Sequence, residues 1–297
     1  MTHGAVIGLD AGGSKTKGLR VEGGRIVRSA VAGSANIASV GVEGAMRQLD
    51  VLLDELGREG LAAVCIGAAG VETPDAEERL RRLLQDRLPQ ARVRVVHDTR
   101  LILAAAGLDH GVVLISGTGS VAWGMGPGGA EARAGGWGYL LGDEGGGFGV
   151  TRAAVRRALA ELDRGRPADR LTERLVDACG LERVDQILDA FYADPDRRHW
   201  ANRAAVVFEL AEQGDAPSEQ LVNEAADALA ELAVAVAGRL GLPGPVVLAG
   251  GLVTHQPRLQ ARVRTRLAQQ RISDVRLLHE EPVAGAVRLA EELLGSP

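Results

Sequence analysis

The chain has 297 residues, 46% hydrophobic and 25% charged, an ordinary composition for a soluble globular protein with room for two domains. Its net charge of -5 argues against broad nucleic-acid binding, so a small anionic ligand is expected to meet local donors or a metal. Cys65 and Cys179 are the only cysteines, too few and too far apart for a disulfide framework, a zinc cluster or an iron-sulfur site. No signal peptide or membrane span is read from the sequence, and the protein is expected to be cytoplasmic.

In chain order, the apolar run Ala5 to Leu9 leads into Asp10-Ala11-Gly12-Gly13-Ser14-Lys15-Thr16. A strand there delivers Asp10 to a sheet edge, where its carboxylate can hold a water on Mg2+. Gly12 and Gly13 let backbone approach a phosphate, and Ser14, Lys15 and Thr16 supply amides and hydroxyls. An ordinary glycine hairpin explains the heptapeptide alone equally well. A Walker loop does not fit, because a residue separates Gly13 from Lys15 and a strand, not a helix, is read next. Lys15 and Lys17 are the only lysines, a bias that a GC-rich genome would explain, and Lys15 is kept as a phosphate neighbour.

Residues 4 to 10, 17 to 22 and 25 to 31 read as strands, with Gly23-Gly24 as a hairpin turn. Val42, Met46, Leu49, Leu53 and Leu56 recur at helical spacing, and residues 62 to 68 form a buried strand. Thr73 caps the next helix with Pro74 at its first position. Residues 92 to 97 read as a strand and 99 to 107 as a short helix.

The pattern then restarts. Val112 to Ser116 is a strand, Gly117-Thr118-Gly119-Ser120 a turn, and Val121 to Met125 a second strand. Gly124, Gly126 and Gly129 match a dinucleotide fingerprint, but residues 130 to 136 make a poor helix and no acidic ribose ligand follows, so the match reads as a loop. A mostly helical insertion runs from about 150 to 240, followed by a strand at 246 to 248, a helix at 257 to 270, a strand at 275 to 278 and a helix at 283 to 294. Two similar halves, each opened by a phosphate-type turn, imply a cleft between them.

This repeat resembles the superfamily of actin, sugar kinases and heat-shock chaperones. Within it the chain resembles the BadF/BadG/BcrA/BcrD-type ATPase family, which contains N-acetylglucosamine kinase. Asp10 to Thr16 match the first phosphate motif, Leu114 to Ser120 the second, and Val247-Leu248-Ala249-Gly250-Gly251-Leu252 the adenosine motif. The resemblance implies an α/β fold of two ribonuclease H-like, actin-like ATPase domains with an interdomain cleft. Residues 1–108 would form the first domain, with the helix at 283–294 packing back on it, and 109–282 the second.

The resemblance also implies site roles. Gly12, Gly13, Ser14, Lys15, Thr16, Gly117, Thr118 and Gly119 would clamp the phosphates of ATP, Gly250 and Gly251 would pack on its adenosine, and Asp10 would organise Mg2+. Asp98 would accept the proton of the attacking sugar hydroxyl. Spacing alone favours Asp98 as a helix cap. Gly135 to Gly147 resembles the GGWGxxxGDEG segment of N-acetylglucosamine kinases, which implies sugar contacts from Gly136, Asp143 and Glu144. Asn36 falls where amino-sugar kinases carry a sugar-binding asparagine, and Ala69 and Gly70 would offer backbone groups. Arg258 reads as a solvated helix start.

The expected activity is transfer of the ATP terminal phosphate to the 6-hydroxyl of N-acetylglucosamine by a homodimer. Glucosamine and N-acetylmuramic acid are alternative acceptors. The partner is therefore a small amino sugar, with no nucleic acid and no membrane. An activator ATPase of 2-hydroxyacyl-CoA dehydratases would need cluster-binding cysteines in a suitable motif, and a sugar sensor would use the same cleft without turnover.

Overall fold

In the computed structural model, residues 4–71, 73–194 and 196–295 are described. The chain divides into two compact units, one made of His110–Leu277 and the other of the segments on either side.

The first unit opens with β1 (Ala5–Ala11), β2 (Lys15–Glu22) and β3 (Arg25–Gly33), followed by α1 (Ile37–Leu56), β4 (Leu61–Ala68), α2 (Pro74–Arg87), β5 (Arg92–His97) and α3 (Asp98–Ala105). Its sheet has the order β3-β2-β1-β4-β5; the first three strands are antiparallel, and β4 and β5 run parallel to β1. Gly23 and Gly24 both have positive φ, as the tight turn between β2 and β3 requires. Thr73 caps α2 by accepting from the Ala76 amide at 3.2 Å, and Gly41 interrupts α1 with φ 69°.

Alternation along β1 explains its unbroken apolar run. Ile7 and Leu9 face one core with Leu49, Leu53, Leu80 and Leu84, while Val6 faces another with Leu101 and Ala104. A strand covered on both faces has no polar side to show.

The second unit repeats the plan with β6 (Gly111–Ser116), β7 (Ser120–Met125) and β8 (Glu131–Gly135). Six helices follow: α4 (Gly147–Asp163), α5 (Arg170–Ala178), α6 (Gln186–Ala193), α7 (Arg197–Asn202), α8 (Ala204–Glu212) and α9 (Ala216–Leu240). Then come β9 (Val246–Ala249), α10 (Gly251–His255), α11 (Pro257–Gln269) and β10 (Val275–Leu277). The sheet order β10-β9-β6-β7-β8 reproduces the first unit, with β6 in the place of β1. Of the fingerprint glycines, Gly124 lies within β7, and Gly126 and Gly129 lie in the turn to β8, where the Gly126 amide donates to the Ala130 carbonyl at 2.8 Å. What was read as a loop is thus a turn followed by an edge strand.

The last helix, α12 (Pro282–Gly295), belongs to the first unit and packs on β1, β4 and α3. Gly8 and Gly285 permit this, and Gly67 lets α3 lie equally close to β4. A Cβ at Gly8 would lie 2.5 Å from the Val287 amide nitrogen, one at Gly67 2.3 Å from Leu101 Cγ, and one at Gly285 2.0 Å from the Leu101 carbonyl. Among the described residues, no helix is long and apolar enough to cross a membrane.

Candidate active site

In the first unit the carboxyl ends of β1, β4 and β5 lie side by side, the edge where open parallel sheets collect ligands. Asp10 sits one residue from the end of β1, and the Gly12 amide donates to the Lys15 carbonyl at 3.1 Å to close the following turn. The Ala69 amide donates to the Ala11 carbonyl at 3.0 Å, which fixes the segment after β4 against this turn. Burial pushes the Asp10 carboxyl up to about 6, helped by the negative charges of Asp98 and Glu281 and opposed by Lys15 and Lys17. Lys17 also forms an ion pair with Glu281.

Asp98 occupies the first turn of α3, but it is not the cap. His97 is the capping residue, and its Nδ1 lies 3.4 Å from the Thr99 amide and 2.6 Å from Thr99 Oγ1. The same nitrogen is 3.1 Å from Asp98 Oδ1, but as the acceptor of the Thr99 amide it has no N–H to give the carboxylate. The cap expected from spacing is therefore displaced by one residue. The Asp98 side chain keeps 32% of its surface exposed, enough to meet a ligand.

Thr16 departs from the phosphate role expected of its hydroxyl. It is fully buried, donates to the Gly33 carbonyl at 2.9 Å and accepts from the Ala35 amide at 3.0 Å. That hydroxyl ties the end of β3 to β2. Ser34 Oγ donates to the Gly12 carbonyl at 3.1 Å, a brace on the first turn that turn chemistry alone does not reveal. Asn36 caps α1 by accepting from the Ala38 amide at 2.9 Å. A Cβ at Gly70, where φ is 84°, would lie 2.6 Å from Asn36 Oδ1, so these two expected sugar contacts adjoin.

In the second unit the turn after β6 is braced from several sides. Gly117 and Thr118 carbonyls accept from the Gly147 and Phe148 amides at 2.8 and 3.0 Å, and Ser116 Oγ donates to the Gly145 carbonyl at 2.7 Å. Gly250, with φ 96°, lies against this turn; a Cβ there would come within 2.5 Å of the Ser116 carbonyl. The expected phosphate and adenosine glycines of this unit thus meet in space.

Asp143 is only 9% exposed, adopts φ 67° and accepts the Ser120 amide at 3.0 Å. Its carboxylate is thereby engaged with the turn as well as facing the neighbouring cavity of about 580 Å³, which Thr118, Gly119, Gly136, Tyr139 and Arg197 also line. Glu144 points elsewhere: its side chain is 62% exposed and 3.5 Å from Arg152. Arg258 pairs with Glu219 at 2.9 Å at the start of α11.

Among the described residues no group of three or more His, Cys, Asp or Glu side chains is placed to hold a metal. Asp10 nevertheless suits magnesium bound in company with nucleotide phosphates, because a cation would relieve the repulsion from Asp98 and Glu281.

The two five-stranded sheets with their repeated order define a protein of the actin-like ATPase fold, built from two ribonuclease H-like units. The chain belongs to the BadF/BadG/BcrA/BcrD ATPase family, whose model matches residues 7–290. It is 29% identical over 263 residues to an N-acetylmuramic acid/N-acetylglucosamine kinase of Clostridium acetobutylicum, with 84% of this chain and 86% of that one covered. It is 27% identical to an N-acetyl-D-glucosamine kinase of Dictyostelium discoideum over the same shares. A Streptomyces griseus glucokinase, solved with glucose and AMPPNP, shares the fold at a TM-score of 0.59 and 19% identity, covering 97% of this chain and 99% of its own.

Proposed function

We propose that the protein is an ATP-dependent amino-sugar kinase that phosphorylates the 6-hydroxyl of N-acetylglucosamine. The observation that carries this is the pair of carboxylates at the carboxyl edge of the first unit's sheet, Asp10 near the end of β1 and Asp98 directly after β5. Burial and then the negative charge of Asp98 raise the Asp10 carboxyl, and His97, not Asp98, caps α3. The relatives named as N-acetylglucosamine kinases support the acceptor.

Asp98 takes the proton of the 6-hydroxyl as that oxygen attacks the terminal phosphorus, and ADP departs with the bridging oxygen. Asn36, Ala69 and Gly70 position the sugar in the first unit. The amides after Gly12 and the turn Gly117 to Gly119 stabilise phosphate charge, and Gly250 and Gly251 accept the adenosine. Magnesium, when bound, neutralises phosphate charge, and Asp10 is the residue that would hold it. On this reading the enzyme is a cytoplasmic homodimer.

The activator ATPase fits poorly. Cys65 is buried in the first unit's core with its thiol pushed up to about 12, and Cys179 is half-buried in the second unit. The deciding experiment is ADP release from Mg-ATP with N-acetylglucosamine, glucosamine, N-acetylmuramic acid, N-acetylmannosamine or glucose, each against a no-sugar control. Preference for N-acetylglucosamine is expected. ADP release that ignores the sugar would overturn the reading.

A further inference from the structure

The cavity of the second unit carries a group that a neutral sugar does not need. Gly136 and Asp143 on its lining offer a backbone group and a carboxylate suited to sugar hydroxyls, beside Thr118 and Gly119 of the phosphate turn. Arg197, the first residue of α7, lines the same space and brings a permanent positive charge.

This guanidinium is placed rather than adrift. Its Cζ lies 5.4 Å from the centre of the Tyr139 ring, within cation–π range. The ring is itself set edge-on against Phe148, with centroids 5.3 Å apart. Arg197 makes no ion pair among the described residues. Its acidic neighbour Asp196 is engaged in capping α7, where Oδ1 accepts the Arg198 amide at 2.9 Å. A guanidinium held over an aromatic ring by cation–π attraction, with no carboxylate paired to it, keeps N–H groups available, and its fork matches a carboxylate with two parallel hydrogen bonds.

We propose that Arg197, seated on Tyr139, is a specificity-determining residue that reads a carboxylate on the acceptor. The substrate class it selects is an N-acyl hexosamine carrying a carboxyalkyl ether, the chemistry of N-acetylmuramic acid, in addition to the neutral N-acetyl sugar. This inference rests on the amino-sugar kinase reading and adds to it the side chain that discriminates.

The test compares the wild-type full-length protein with Arg197→Ala and Arg197→Lys. Turnover of N-acetylglucosamine and N-acetylmuramic acid is measured by ADP release, and binding of each sugar to nucleotide-free protein by calorimetry. For Arg197→Ala the ratio of kcat/KM for N-acetylmuramic acid over N-acetylglucosamine should fall about ten- to a hundredfold, the size of a lost charge-assisted hydrogen bond. Arg197→Lys should fall between, because a point charge replaces the fork.

An unchanged ratio overturns the inference, as does a raised KM for ATP that is equal with both sugars, which would give the guanidinium to the nucleotide. A wild-type protein that phosphorylates N-acetylglucosamine but neither binds nor phosphorylates N-acetylmuramic acid overturns it while the kinase reading stands. Arg197-dependent binding of N-acetylmuramic acid without any phosphorylation has the opposite meaning: the carboxylate site is real and the kinase reading fails.

Discussion

Asp143 Oδ1 accepts the backbone N–H of Ser120 at 3.0 Å, so a carboxylate from the segment after β8 holds the first residue of β7. The acceptor is almost wholly buried and its backbone lies at φ 67°, a region Asp and Asn enter more readily than other residues with a Cβ. Asp143→Ala should therefore cost about 1–3 kcal/mol by leaving the Ser120 amide unsatisfied, and should lower kcat/KM by loosening the turn. Asp143→Asn keeps both the acceptor and the backbone preference and should retain most of the stability. Urea denaturation of the two variants checks this, and an alanine variant as stable as wild type would contradict it.

Asp98→Asn should reduce phosphorylation by about a hundred- to ten-thousandfold, the usual worth of a positioned base. Its melting temperature should stay near that of wild type, since His97 caps α3. Parallel calorimetry and ADP release decide the matter. Retained turnover with lowered stability would make Asp98 a structural residue instead.

The Asp10 carboxyl, raised from 3.8 to about 6, has a definite sign in stability. Because the folded state binds this proton more tightly than the unfolded chain, the contribution is fully present below pH 3.8 and is lost as pH rises through 6. The loss is on the order of 3 kcal/mol. Asp10→Asn should be inactive, yet in chelator its stability relative to wild type should rise between pH 4 and pH 6.5 by about that amount. Wild-type activity should fall below about pH 6, and added Mg2+ should move that limb to lower pH, since a cation favours the ionised form. A stability difference that stays flat with pH would refute the assignment.

Gly285→Ala should destabilise the first unit by about 1–3 kcal/mol or more, because the added methyl would meet the Leu101 carbonyl at 2.0 Å. Backbone cannot yield as a flexible side chain can. The denaturation midpoint measures the effect, and wild-type stability would mean that α12 shifts freely against α3.

Much of the fold was legible because its signals are local. Residues 5 to 9 and 112 to 116 are continuous apolar runs ended by glycine turns, and Thr73-Pro74 marks a helix start from composition alone. β8 was not legible. Glu131-Ala-Arg-Ala-Gly has little strand propensity, and its pairing with β7 decides its state.

In the site, the glycine turns and Asp98 could be placed from sequence, but the spending of each polar group could not. The Thr16 hydroxyl looks like a phosphate donor until Gly33 and Ala35 are seen to claim it. Histidine is not a favoured cap, so His97 was overlooked in favour of its neighbour. Nothing in the sequence singles out Arg197, and only its place over the Tyr139 ring, far away in sequence, distinguishes it.

The first unit is assembled from both ends of the chain, and α12 supplies Val283, Ala286, Val287, Leu289 and Ala290 to one of its two cores. During synthesis, β1 and β4 are made early, but the core they share with α3 lacks the side chains of α12 until that helix leaves the ribosome. The continuous segment His110–Leu277 has no such wait, so its folding should precede that of the segment made before it. Pulse proteolysis of chains stalled after Leu277 should find His110–Leu277 protected and the preceding segment cleaved. Equal protection of both would show that α12 is dispensable for closing the first core.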